Sequence, residues 1–337
     1  MKAVATQHGK IVIAEMERAE TPPGHVLIRT EYSAISPGTE MGFVTRGGDA
    51  LAPLGYSAVG IIEDIGADVI GLRRGQRLAC YGVPYVRHAE WLNVPTNLTA
   101  VVPDHVDPQE AAFAGLGAIA VHALRVADLR FGESAIVAGL GTLGNLIVQI
   151  AGAAAIRTAG VDISTERADM LRRQGYPQMY DDAAKLSANL SEAAGAGGAD
   201  AVLLCAGGPG EALINQALEW IRDRGKVVIV GDLSMVFSRA LMFAKEAQIL
   251  ISRAGGPGRY DPQYELENRD YPRGHVRWTE GRNIAEYIRL LSEGRISMKP
   301  LITGIYPLER AAEAYENYRV PGKSIATLIR YQAAETF

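Results

Sequence analysis

Six residues, Gly139-Leu140-Gly141-Thr142-Leu143-Gly144, carry the spacing GxGxxG, and the residues around them suggest what that spacing is for. An apolar run, Ala135–Ala138, leads in, and an apolar helical stretch, Leu146–Ile150, leads out. Asp162 stands 18 positions after Gly144, at the end of the next apolar run, 158–162. In such a strand–turn–helix the first glycine permits the tight turn, the second lets the backbone approach a pyrophosphate, and the third lets the helix pack on the strand. The helix opening at Thr142 and Leu143 then offers N–H groups and a positive dipole end to the phosphates. A carboxylate at 162 can accept from both ribose hydroxyls and repels a 2′-phosphate, so NAD is expected in preference to NADP. Arg167, close behind, keeps NADP open. Cys205 and Gly231 end later strands of the same alternation and are expected beside the dinucleotide, with Cys205 buried rather than nucleophilic.

The elements that must hold this turn are legible as a change of pattern along the chain. The first 117 residues read as short strands, including 10–15, 25–32, 57–65, 76–80 and 90–95, separated by Pro22-Pro23, Pro37-Gly38 and Gly47-Gly48. An alanine-rich helix is expected over 109–126. Strands and helices then alternate: 143–154, 168–174 and 211–222 as helices, 199–205 and 226–231 as strands. That alternation means βαβ units around a parallel sheet, the Rossmann arrangement. After Ile249–Ser252 the segment from Ala254 to Arg282 is irregular. A helix over 283–292, a run at 302–307, a helix over 308–318 and a strand over 324–331 close the chain. The predicted organisation is an α/β protein in which residues 1–117 and 254–337 form one domain and 118–253 an inserted dinucleotide-binding domain.

Composition narrows the function classes. A chain of 337 residues with 48% apolar and 21% charged residues is ordinary globular material. A net charge of -4 gives no footprint for nucleic acid or an anionic membrane. No signal peptide or bilayer-length apolar run is read, and the two cysteines, Cys80 and Cys205, form neither a disulfide framework nor a cysteine-rich zinc site. A cytoplasmic protein is the expectation.

Pro37-Gly38-Thr39-Glu40, the run Gly55 to Gly60, Gly75-Gln76-Arg77-Leu78, His88-Ala89-Glu90-Trp91 and the glycine motif together resemble the medium-chain dehydrogenase/reductase superfamily, of the alcohol and sorbitol dehydrogenase type. The resemblance covers nearly the whole chain. It implies a GroES-like β-barrel catalytic domain around the inserted Rossmann domain, and a homodimer joined through an apolar edge strand at 248–253. Zinc members of that superfamily carry cysteine where this chain has Pro37 and histidine where it has Tyr56, and the four-cysteine lobe for structural zinc is missing. No metal site is therefore expected. Two strings, 252–261 and 270–280, resemble a zinc-less branch associated with bacterial sugar and polysaccharide pathways, which implies a sugar, sugar-acid or cyclitol substrate.

Without a metal to acidify an alcohol, side chains must move the proton. The resemblance places Thr39 where the superfamily keeps a relay hydroxyl and points the phenol of Tyr56 at the substrate oxygen. The alternative for Tyr56 is an aromatic filling the emptied metal pocket. Glu40 is read as pairing with a neighbouring arginine or orienting Thr39. His88 is read as a proton relay or a satisfied strand histidine. For substrate recognition the segment 253–283 offers Arg253, Arg259, Tyr260, Asp261, Tyr264, Arg277, Trp278 and Glu280, a mixture of forks, acceptors and aromatic faces suited to a polyhydroxylated molecule. Two other functions stay open: an NADPH-dependent reductase of activated C=C bonds or quinones, and a non-catalytic dinucleotide sensor or partner of another oxidoreductase.

Overall fold

The computed structural model describes residues 1–320, 322 and 324–332, so the end of the 254–337 segment lies outside the described residues. It divides into two compact units, one made of residues 1–118 with 255–337 and the other of 119–254.

The second unit is a six-stranded parallel sheet. Numbered within the unit, Ser134–Ala138 is strand 1, Arg157–Val161 strand 2, Met179–Tyr180 strand 3, Ala199–Leu204 strand 4, Ile221–Ile229 strand 5 and Gln248–Ile251 strand 6. Their order across the sheet is 3-2-1-4-5-6, the doubly wound order that binds dinucleotides at the switch between strands 1 and 4. Every residue of Ser134–Ala138 is buried, as a strand covered by helices on both faces must be. Ile136, Val202, Val227, Ile214 and Trp220 belong to one core cluster.

Two boundaries differ from the sequence reading. The helix expected over 211–222 stops at Trp220, because Ile221 turns extended (φ -72°, ψ 153°) and begins the next strand. Helix Thr165–Arg173 starts three residues early, with Ser164 extended ahead of it. Among the described residues no helix is long and apolar enough to cross a membrane.

The first unit is built on a seven-stranded, largely antiparallel sheet. Its order runs Ile302–Pro307, Ala326–Arg330, His25–Ala34, Ser57–Ile65, Arg77–Tyr81 and Thr99–Val101, with Trp91–Pro95 pairing on His25–Ala34. A three-stranded sheet of Lys10–Glu15, Lys2–Gln7 and Ala52–Pro53 completes it. This is the GroES-like antiparallel fold. The strand of the last segment, Ala326–Arg330, lies beside His25–Ala34, so the chain's two ends share one sheet. The helix expected over 109–126 is two: Pro108–Ala111, capped by the Asp107 side chain, and Ala114–Ala127. The helix expected from 283 begins at Glu280, because Thr279 is extended and its hydroxyl caps the first turn.

Candidate active site

The glycine turn of the Rossmann unit is built from close approaches. Gly139 sits at φ +92°, a left-handed conformation that favours glycine. A Cβ on Gly144 would fall 1.8 Å from the Gly139 carbonyl oxygen, so no other residue fits there. Gly231 is under the same constraint, with a Cβ falling 1.9 Å from the Ala206 oxygen. Gly141 is the opposite case: a Cβ there would meet only the far end of Arg167, at 3.9 Å, so bare backbone is exposed where a pyrophosphate would approach. Gly141 is also the N-cap of helix Thr142–Ala153, which begins one residue before the expected start at Leu143. These features fit a dinucleotide.

Asp162 is more committed than its spacing suggested. One carboxylate oxygen accepts the Leu140 N–H at 2.6 Å and lies 3.4 Å from an Arg167 nitrogen, while the other accepts the Ser164 N–H at 2.8 Å. It thus ties the glycine turn to the second strand and keeps lone pairs for further donors. Ile163, next to it, is 99% exposed and offers an apolar face that sequence reading passed over. Cys205 donates its backbone N–H to the Ala138 carbonyl, and burial pushes its thiol up to about 12, which leaves it neutral and unreactive.

In the first unit, Ser36 and helix Pro37–Arg46 set the scene for Tyr56. Pro37 stands at the first helical position and Ser36 at the N-cap. The Tyr56 hydroxyl donates to the Ser36 hydroxyl at 2.6 Å, with the exposed Thr39 three residues further along the chain. Burial raises the Tyr56 phenol above its ordinary value. The Ser36 hydrogen bond pulls it back, and the Glu40 charge pushes it further up. Tyr81 packs edge-on against Tyr56, ring centroids 5.7 Å apart.

Glu40 and His88 lie behind this hydroxyl pair, and the structure corrects the roles given to Glu40. Its partner is no arginine, and it does not reach for Thr39. One oxygen accepts the Ser36 N–H at 2.7 Å, and the other takes His88 Nε2 at 2.9 Å and the Tyr315 hydroxyl. His88 is fully buried, its Nδ1 2.7 Å from the Ser33 hydroxyl, which lies 2.8 Å from the Tyr331 hydroxyl. A Cβ on Gly55 (φ +94°) would meet the His88 backbone N at 2.6 Å and its ring at 2.7 Å, so His88 packs directly against the residue before Tyr56. Glu40 and His88 therefore hold Ser36 and Gly55, which in turn hold the two ends of Tyr56.

The 253–283 segment splits. Arg253 is exposed and belongs to the Rossmann unit, whereas the rest belongs to the first unit. Tyr260 is exposed over the Arg259 guanidinium, and Arg277 stacks 4.1 Å from the centre of the Trp278 ring. Four residues depart from expectation: Arg259 is buried against Glu265, Tyr264 is buried with its hydroxyl donating to Thr279 at 2.7 Å, and Glu280 and Asp261 also serve the fold. Glu280 is fully buried at the head of its helix, packed near Gly255 and Tyr81 rather than presented to solution. Asp261 caps a short helix, Pro262–Glu265, and accepts the Tyr271 hydroxyl.

The zinc-binding dehydrogenase family model matches residues 142–267. D-xylulose reductase of Saccharomyces cerevisiae is 25% identical over 97% of this chain and 96% of its own. L-galactonate-5-dehydrogenase of Escherichia coli is 26% identical over 78% of each. Galactitol-1-phosphate dehydrogenase from Escherichia coli superposes with a TM-score of 0.80 at 20% identity, covering 98% of this chain and all of that one. The chain is similar to the medium-chain alcohol dehydrogenases, with which it shares the fold.

The description of the matching family raises the question of zinc. Among the described residues no group of three or more His, Cys, Asp or Glu side chains could hold a metal ion. Pro37 has no donor atom, Tyr56 is engaged with Ser36, and Glu40 and His88 are engaged with each other. Zinc does not fit this donor set.

The supporting residues of this site are those sequence reading missed: Ser33, Ser36, Tyr81, Tyr315 and Tyr331. Only Ser36 had a local signal, a serine directly before proline at a helix start.

Proposed function

We propose that this dehydrogenase moves a hydride between NAD(H) and a hydroxyl or ketone of a sugar- or cyclitol-like substrate, without zinc. One observation carries the reading: a phenol, Tyr56, hydrogen-bonded at a helix N-terminus where the zinc members of the superfamily keep a metal ligand. The nicotinamide supplies or accepts the hydride when bound, with Gly139, Gly141, Thr142, Leu143, Gly144 and Asp162 holding its dinucleotide and Cys205 and Gly231 lining the strand ends.

The chain's own residues handle the proton. Burial and the nearby Glu40 charge keep Tyr56 protonated, so it serves as the acid that hydrogen-bonds the substrate oxygen and gives up its proton as a ketone is reduced. The N-terminus of helix Pro37–Arg46 favours the negative charge developing on that oxygen. In the reverse direction the alcohol proton returns through Tyr56 and the hydroxyls of Ser36 and Thr39. His88 and Glu40 act as support, out of reach of a substrate by burial.

The activities for which the yeast and bacterial relatives are named favour a sugar-derived substrate. Arg253, Tyr260, Arg277 and Trp278 are the contacts proposed for it. The test is a panel of polyols, cyclitols, sugars, sugar acids and quinones followed by cofactor absorbance, with and without chelator. Turnover of a sugar or cyclitol that survives chelation supports the reading. Activity lost with one stoichiometric zinc per chain, or confined to quinones, overturns it.

A further inference from the structure

Tyr260 is an exposed aromatic held in a conformation that a tyrosine rarely adopts. Its φ is +66°, in the left-handed region, yet the residue is 61% exposed. A large side chain in this region is strained and persists only where its surroundings over-determine it. Here they do. The Glu265 carboxylate accepts the Tyr260 backbone N–H at 2.9 Å and with the same oxygen pairs with Arg259, both charges being buried. The Arg259 guanidinium lies 4.2 Å from the centre of the Tyr260 ring and 5.9 Å from that of Tyr81, which packs on Tyr56. A buried ion pair is weak evidence for stability, so its use must be sought in the shape it imposes. The shape imposed here is one aromatic ring, backed by a guanidinium, fixed in solution at the end of a run of ring contacts that starts at the proposed proton donor.

We propose that Tyr260 is a stacking platform for a ring-form substrate, a pyranose or cyclitol, and that Arg259 and Glu265 are its mount. This rests on the sugar dehydrogenase reading and narrows it. A flat aromatic face matches the C–H face of a six-membered polyhydroxylated ring, which presents several axial hydrogens in one plane. An open-chain polyol samples many conformers and presents no such face, so it loses more freedom on stacking. Arg259 sets the platform's angle and does not touch substrate.

The test compares two substrate classes and one binding measurement. Myo-inositol and methyl α-glucopyranoside represent rings, and xylitol and sorbitol open chains. Tyr260→Ala should raise KM for whichever ring compound turns over by about three- to tenfold, the range of one aromatic contact, with kcat unchanged. Open-chain substrates should be unaffected, and Tyr260→Phe should restore the ring compounds. Calorimetry of ring compounds with the cofactor-loaded protein should show binding that Tyr260→Ala weakens and Tyr260→Phe restores. This arm works even if no sugar is turned over, so failure of the dehydrogenase reading and failure of the platform are told apart. Because the substitution removes a strained residue, the melting temperature of Tyr260→Gly should not fall. Equal KM changes for rings and open chains, or ring binding indifferent to Tyr260→Ala, would overturn the proposal, as would loss of folding in Tyr260→Gly.

Discussion

The glycine turn and the Tyr56 pocket do the same kind of work, fixing reactive groups in space, with opposite materials. The turn is made of backbone: Gly139, Gly141 and Gly144 act through what they lack, and one side chain, Asp162, ties the turn to its neighbouring strand. The pocket is made of side chains: Tyr56 rests on Ser36, Ser36 on Glu40, and Glu40 on His88 and Tyr315, with Ser33 and Tyr331 closing the chain of contacts. A backbone device tolerates little change in shape but needs few partners. A side-chain device needs more partners but can be retuned by single substitutions.

The sharpest break in this comparison is expected at Tyr56. Tyr56→Phe keeps the ring against Tyr81 and removes the proton, so kcat should fall by ~10²–10⁴ with little change in KM or dinucleotide affinity. Wild-type turnover would reduce Tyr56 to packing. The pH profile sharpens the same point. A phenol raised by burial and by Glu40 stays protonated as pH climbs past the ordinary phenol value of about 10, so ketone reduction should show no loss assignable to Tyr56 below that pH. Loss of rate near neutral pH that disappears in Tyr56→Phe would contradict the sign of the shift.

The next effect belongs to the support. Glu40→Ala strips the fully buried His88 and Tyr315, and the Ser36 N–H, of a shared acceptor, and should destabilise the protein by about 3–5 kcal/mol in denaturant unfolding. A change under about 1 kcal/mol would mean that this network does not hold the pocket together.

Smaller effects are expected on the Rossmann side. NAD(H) should bind more tightly than NADP(H), and Arg167→Ala should widen the gap by roughly three- to tenfold, since it removes the guanidinium 3.4 Å from Asp162 that would welcome a 2′-phosphate. Calorimetry with both cofactors decides it, and an unchanged ratio would show that Arg167 only neutralises Asp162. We also propose that the edge strand Gln248–Ile251, with Ile251 64% exposed and Phe243 72% exposed, pairs with its symmetry mate in a homodimer. Light scattering should give a dimer at micromolar concentration, and Ile251→Asp should shift it toward monomer. A monomeric wild-type chain would end that proposal.

How much was legible follows the same division. The strands Lys10–Glu15 and Ser57–Ile65 could be placed from alternation and turn residues, because each side chain's face is set by its neighbours two positions away. The break at Ile221 was not, since Ile221 is as compatible with continuing a helix as with starting a strand, and the buried packing of Trp220 and the sheet decides between them. Asp261 and Glu280 looked like surface acceptors because loops rich in Gly, Pro and Arg usually are. One instead caps a four-residue helix, and the other is buried at the head of a thirteen-residue one.

The sequence by itself determined the dinucleotide turn, because its requirements are local: a left-handed φ at Gly139, no Cβ at Gly144, a carboxylate at the end of the next strand. It also determined the alternation of strands and helices around that turn. Only the tertiary structure decided what Glu40 and His88 do. Their partners come from strands and a helix near opposite ends of the chain, Ser33 and Ser36 on one side and Tyr315 and Tyr331 on the other. A buried hydrogen bond depends on which atoms meet once water is gone, and separation along the chain carries no information about that.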